Sequence, residues 1–124
     1  MFVDDSLVVR NHYRTCLQQL GLKDVLEASD GIDALRLLEK AGDAPPDLIF
    51  LDWTMPRMTG LQFLQSIRGE YPDLPVVMVT TRSEQGLVMQ AVKSGITDYI
   101  LKPFGTEVLG DRLKRALEKR RQAG

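Results

Sequence analysis

Short apolar runs and helix-periodic stretches alternate five times along this chain, and the alternation restricts the folds open to it more than any other feature. The apolar runs are Met1 to Val3, Val25 to Ala28, Leu48 to Asp52, Val76 to Thr80 and Tyr99 to Lys102, the last of these labelled β5. Bounded by turn residues and rich in Val, Ile and Leu, such runs read as strands buried on both faces. After each one, apolar residues recur at helical spacing. The first helix carries Val9, Tyr13, Cys16, Leu17 and Leu20 on one face, the second Ala34, Leu35 and Leu38, and the third Leu61, Phe63, Leu64 and Ile67. A fourth helix (α4) between Ser83 and Gly95 has Leu87, Val88, Ala91 and Val92, and a last one (α5) from about Thr106 has Val108, Leu109, Leu113, Ala116 and Leu117 inward. Parallel strands are the ones that need crossovers of this length, so the expected class is α/β, a five-stranded parallel sheet with helices on both faces.

The boundaries have their own chemistry. Ser6 and Ser83 are expected to cap the first and fourth helices, Gly21 and Gly95 to end them in left-handed backbone, and Pro45, Pro46 and Pro103 to interrupt regular structure. With 124 residues the chain suits a single domain, 1–124. Sixteen basic against seventeen acidic residues leave a net charge of −1, so nothing general favours nucleic acid. The cations Lys119, Arg120 and Arg121 read as the solvated end of a helix, where the macrodipole is negative. A lone cysteine, Cys16, cannot form an internal disulfide and falls on an apolar helix face, which suits a buried thiol in a reducing, cytoplasmic compartment. No apolar run reaches the ~18 residues that span a bilayer, so no membrane association is expected.

In parallel α/β sheets function gathers where strands end. The residues there are Asp4 and Asp5 after the first strand, Asp52 after the third, Thr80 after the fourth and Lys102 after the fifth. Carboxylates brought together repel, and a divalent cation among them removes the conflict. Oxygen ligands without His or Cys favour magnesium over zinc. Magnesium keeps several waters and takes one or two carboxylates plus a phosphate, so a phosphoryl group is the natural missing ligand. An aspartate can be the nucleophile that accepts it. Thr80 would then supply a hydroxyl donor and Lys102 a cation to the phosphoryl oxygens. Taken singly, each of these residues is equally an ordinary cap or turn residue, and their joint placement at strand ends carries the functional reading.

The segments VDDS at 3 to 6, LDWTMPRMTG at 51 to 60, VTT at 79 to 81 and DYILKPF at 98 to 104 resemble the response-regulator receiver domain of two-component signalling, particularly its stand-alone chemotaxis (CheY-like) type. The likeness runs through essentially the whole chain in order. It implies a flavodoxin-like three-layer (βα)5 fold with strand order 2-1-3-4-5. It implies that Asp52 accepts a phosphoryl group from a phosphohistidine on a histidine kinase or phosphotransfer protein. Mg2+ would be held by Asp5, Asp52 and the backbone carbonyl of Thr54, with Asp4 acting through water. Lys102 and Thr80 would bind the phosphoryl group, Pro103 would follow a cis peptide bond, and Thr80 with Tyr99 would form the switch pair. The α4-β5-α5 surface would be read by a downstream effector.

In that order the first strand is central, yet Met1 to Val3 falls short of the ~5–6 residues usual for a strand. A weak central strand invites exchange between chains, so a monomer is expected with a swapped dimer as the alternative. Position 81 is often small in the family, and Thr81 would crowd water near the phosphoryl group and slow autodephosphorylation. His12 reads as an ordinary helix-surface residue away from the acidic edge, and Trp53 as a partly exposed ring beside the acceptor. Other function classes fit less well. An aspartyl-nucleophile phosphatase would want an acid at Thr54, and a flavin-binding domain would not need the acids and Lys102. A receiver portion of a larger regulator with an output domain, or a phosphate-independent interaction module, remain as alternatives to the stand-alone type. In either case the chain would not be a turnover enzyme.

Overall fold

The computed structural model describes residues 1–123. In chain order the elements are β1 (Phe2–Val3), α1 (Leu7–Gln19), β2 (Glu27–Ala28), α2 (Gly31–Ala41), β3 (Ile49–Asp52), α3 (Gly60–Ile67) and β4 (Val76–Thr80), then a 3-10 turn (Arg82–Leu87), α4 (Val88–Ser94), β5 (Asp98–Leu101) and α5 (Thr106–Ala123). The five strands form one sheet in the order β2-β1-β3-β4-β5, every pair parallel. This is the expected α/β, flavodoxin-like topology.

Side-chain alternation along the strands divides the core. Ile49 and Leu51 face one side with Met78, Phe63, Leu64 and Ala34, while Phe50 faces the other with Val77, Val79, Tyr13, Leu17 and Leu109. All four residues of β3 and all five of β4 are buried, which is why both read as continuous apolar runs.

Only two residues of β1 are in register with its neighbours, but the strand is paired on both sides. Phe2 N–H donates to Leu26 at 3.0 Å and Asp4 N–H to Ala28 at 3.1 Å, while Met1 accepts from Phe50 N–H at 2.9 Å. The Met1 ammonium donates to the Leu48 carbonyl at 2.9 Å. Burial, opposed by Asp47, pulls its pKa down to about 6. A cleft of about 590 Å³ opens behind it at the amino edge of the sheet, between Val25, Leu26, Asp47 and Leu48 and floored by Leu17 and Leu117.

Several helix ends behave as the residues dictate. Ser6 Oγ accepts from Val9 N–H at 3.3 Å, and Gly21 leaves α1 at φ 82° with Leu22 N–H reaching back to the Leu17 carbonyl at 2.9 Å. Gly95 ends α4 at φ 105°. Ser83 does not cap a helix as expected. The chain leaves β4 into the 3-10 turn, and it is Glu84 that accepts from Thr81 N–H, at 3.0 Å. A second correction concerns the faces of the last two helices. Leu87, Val92 and Val108, expected inward, are 39%, 53% and 43% exposed, and Ala91 is the buried residue of α4. A third concerns the basic end of α5, which is not merely solvated: Lys119 donates to the Thr97 carbonyl at 2.9 Å and Arg120 to that of Asp47 at 3.2 Å. Among the described residues no helix is long and apolar enough to cross a membrane.

The loop that follows β3 turns back hard on itself. Gly60 N–H donates to the Trp53 carbonyl at 2.9 Å, so close that a Cβ on Gly60 would lie 2.8 Å from the Asp52 oxygen and 2.7 Å from the Trp53 ring. Backbone cannot yield cheaply at such a contact. Gly60→Ala is expected to cost ~1–3 kcal/mol in urea unfolding, whereas Gly69→Ala, with open space around its Cβ, stays within ~0.5 kcal/mol of wild type; equal stabilities for the two variants would refute the close-approach reading.

Candidate functional site

Four strand ends bring their side chains to one edge. Asp4, directly after β1, is fully buried; its Oδ1 accepts from Ser6 N–H at 2.9 Å, and its carbonyl accepts from the Arg10 guanidinium at 2.8 Å. Asp5, the next residue, points to solvent. Asp52 ends β3 and is 4% exposed. Oxygen atoms of Asp4, Asp5 and Asp52 all lie within 4.8 Å of one another. Lys102 follows β5 and is fixed by its N–H to the Thr80 carbonyl at 2.7 Å, with a cis peptide bond to Pro103 after it. Its Nζ lies 2.8 Å from Asp4 Oδ2 and 3.3 Å from Asp52 Oδ1.

One ammonium cannot balance this many carboxylates. Burial and the Asp4 charge, resisted by Lys102, push Asp52 up to about 7. Burial would lower the Lys102 pKa, but its hydrogen bond to Asp4 and the Asp52 charge hold it above the ordinary value. The excess of hard anionic oxygen, with no nitrogen or sulfur donor in the cluster, fits a divalent cation of the magnesium or calcium kind.

Thr80, at the end of β4, is fully buried beside this group. Its hydroxyl lies 3.3 Å from the Thr81 carbonyl and 3.4 Å from Glu84 Oε1. Thr54, two residues after Asp52, is exposed, and its hydroxyl donates to Glu84 Oε2. Tyr99 in β5 is 39% exposed, its ring turned outward. Trp53 is not the partly exposed ring expected; at 4% exposure it belongs to the core, where Gly60 leaves room for it. His12 is also more engaged than expected. Its Nε2–H donates to the Phe104 carbonyl, and its ring centroid lies 5.0 Å from that of Phe104, so α1 is tied to the loop after Lys102.

Two features escape a reading of the residues alone, and a third was missed. Tyr13 stacks on Phe2 at 4.8 Å and meets Phe50 at 5.8 Å and Phe104 at 4.8 Å, a buried aromatic group under the acids. Burial, then the Asp4 and Asp52 charges, raise its phenol pKa well above the ordinary value. Asp30, which caps α2 by accepting from Asp33 N–H at 2.8 Å, pairs with Arg57, whose backbone is left-handed at φ 66°. Glu84 was legible in principle, since Thr81-x-x-Glu84 has the spacing of a capping box.

Asp52 holds its proton more tightly in the fold, at about 7, than at its ordinary 3.8. The protonated group therefore favours folding: its contribution is complete below about pH 4 and is lost as pH rises through about 7. In chelator, Asp52→Asn is expected to melt higher than wild type at pH 8, by ~4 °C or more, and the gap to close near pH 4. Parallel melting curves across that range would contradict the charge-excess account.

Comparison with known proteins agrees with this geometry. Residues 1–114 match the family model described as response regulator receiver domain. A chemotaxis protein CheY homolog of Campylobacter jejuni is 40% identical over 119 residues, covering 94% of this chain and 90% of its own. The chemotaxis protein CheY1 of Helicobacter pylori is 35% identical over 119 residues, covering 94% of each. Among solved structures, NtrX from Brucella abortus superposes with a TM-score of 0.89 at 31% identity, covering 98% of this chain but 27% of that longer one. A parallel sheet in the order 2-1-3-4-5, acids after its first and third strands, a threonine and a lysine after its fourth and fifth, and a family match over that same stretch place this chain in the response-regulator receiver-domain family of two-component systems.

Proposed function

We propose that the chain is a phosphoacceptor module that takes a phosphoryl group from the phosphohistidine of a partner kinase or phosphotransfer protein onto Asp52. The observation that carries this reading is the position of Asp52: a buried carboxylate at a strand end, grouped with Asp4 and Asp5 and 3.3 Å from the Lys102 ammonium. An Asp52 carboxylate oxygen attacks phosphorus, the P–N bond breaks, and its electron pair stays on the kinase imidazole. Mg2+ held by Asp5, Asp52 and the Thr54 carbonyl, with Asp4 acting through water, would neutralise charge on the phosphoryl oxygens. Lys102, already oriented by Asp4, turns its ammonium to the transferred group, and the Thr80 hydroxyl donates to it. The chain acts on itself and is not a turnover enzyme.

Once Thr80 moves toward the phosphoryl group, the Tyr99 ring has room to turn inward, a small population shift biased by a local charge. An effector would read the result on the α4-β5-α5 face, where Met89, Val92, Tyr99 and Val108 are exposed. The likeness to chemotaxis proteins favours a stand-alone regulator working in the cytoplasm beside its kinase. A second reading, the receiver portion of a longer regulator, is favoured by the likeness to NtrX.

Titration with magnesium and beryllium fluoride is expected to change Trp53 emission saturably in wild type and not in Asp52→Asn, and acetyl phosphate to add one phosphoryl mass to wild type alone. No change in emission or mass for wild type would end the phosphoacceptor reading and leave a phosphate-independent interaction module. Thr81, half-buried beside Thr80, crowds the route for attacking water. Thr81→Ala should shorten the acyl-phosphate lifetime about two- to fivefold, less than 1 kcal/mol of barrier; an unchanged or longer lifetime would dismiss the crowding idea.

A further inference from the structure

We propose that Glu84 is a latch that holds the turn after β4 against the acidic site and is released by charge gained at Asp52. The proposal rests on the phosphoacceptor reading and extends it to a positioning residue outside the acid cluster. The Glu84 carboxylate gathers donors from two separate loops. Its Oε1 accepts from Thr81 N–H at 3.0 Å and from the Thr81 hydroxyl at 2.9 Å, and lies 3.4 Å from the Thr80 hydroxyl. Its Oε2 accepts from the hydroxyl of Thr54, thirty residues earlier in the loop after β3. Glu84 thus touches the side chains of three residues, Thr80 and Thr81 at the end of β4 and Thr54 in the loop after β3.

Little else secures the turn that carries it. The 3-10 segment Arg82–Leu87 contains no buried residue, and a Cβ on Gly86 within it would meet open space. Six residues is long for 3-10 geometry, whose hydrogen bonds are poorer than those of an α-helix and whose longer runs mark hinges. Without an apolar anchor, the side chains that fix the turn are the Glu84 carboxylate and the Ser83 hydroxyl, 2.8 Å from Thr81 Oγ1, and only the carboxylate reaches a second loop.

A phosphoryl group on Asp52 acts on this arrangement in two ways. It puts close to two negative charges at Asp52 where the bare carboxylate carried at most one, and it draws on the Lys102 cation whose charge the Glu84 carboxylate also feels. It also competes for the Thr80 hydroxyl, which Glu84 shares in the unmodified protein. Repulsion and the loss of a donor act together, so the carboxylate withdraws and the Arg82–Leu87 turn is freed at the head of α4. The charge on Asp52 is thereby transmitted to the helix through Glu84 as well as through Thr80 and Tyr99.

Amide hydrogen exchange over Arg82–Leu87 tests this, with Trp53 emission reporting beryllium fluoride at Asp52 in the same samples. In wild type, magnesium and beryllium fluoride should speed exchange of the turn about tenfold, the scale of one lost charge-assisted hydrogen bond. Glu84→Ala should exchange that fast beforehand and bind beryllium fluoride at a severalfold lower concentration. Glu84→Gln keeps an acceptor oxygen but no charge, so its turn should be protected as in wild type and respond less to beryllium fluoride. Thermal melts serve as the folding control for both variants. If Trp53 responds while the turn exchanges identically in all three proteins, the latch is refuted and the acceptor reading stands. If neither Trp53 nor the turn responds in wild type, the acceptor reading fails and takes the latch with it.

Discussion

The Lys102 ammonium, set between Asp4 and Asp52, is the interaction on which the acidic edge depends. Without it two buried carboxylates would face each other unpaired, a condition that costs several kcal/mol. With it the cluster is still short of positive charge, and burial together with the Asp4 charge pushes Asp52 up to about 7. Such a site is poorly designed for stability. It is well designed for receiving something: a cation relieves the excess, and a phosphoryl group can use the ammonium already aimed at the acceptor.

The sheet supplies the precision this requires. Parallel pairing places Asp52 beside Val79 and Thr80 beside Leu101, so the reacting side chains are set by register and not by loop conformation. Beneath them Tyr13 is stacked among Phe2, Phe50 and Phe104, and His12 fastens α1 to the carbonyl of Phe104. The loop carrying Lys102 is thus supported from below by aromatic packing and from the side by a helix. Rigid support there and a weakly anchored turn after β4 divide the edge into a fixed half and a movable half.

Much of this was legible because burial on both faces leaves an unmistakable pattern. The runs LIFLD and VVMVT read as strands, and reading them correctly located Asp52 and Thr80 at their ends. Ser6, Gly21 and Gly95 marked helix ends through local backbone chemistry that owes nothing to distant contacts. What was misread depends on neighbours in space. Helical periodicity puts Leu87, Val92 and Val108 on an apolar stripe, but it does not say how far the rest of the fold covers that stripe, and here it covers Ala91 and Leu109 and leaves these three partly open. Trp53 looked half-exposed because it follows an exposed-looking acid in a loop, and only the close return of Gly60 encloses it. Ser83 looked like a helix start, but the turn opens at Thr81, whose N–H the Glu84 carboxylate accepts at 3.0 Å.

The amino end of β1 has a different kind of consequence. Met1 is inside the sheet, its ammonium on the Leu48 carbonyl, with the slot between Asp24–Leu26 and Asp47–Leu48 directly behind it. Chain joined ahead of Met1 would not dangle from the surface; its first residues would run down that slot as more of β1. An affinity tag or fluorescent fusion placed there becomes a structural part of the domain, whereas the same fusion carried after α5 leaves the sheet as it is.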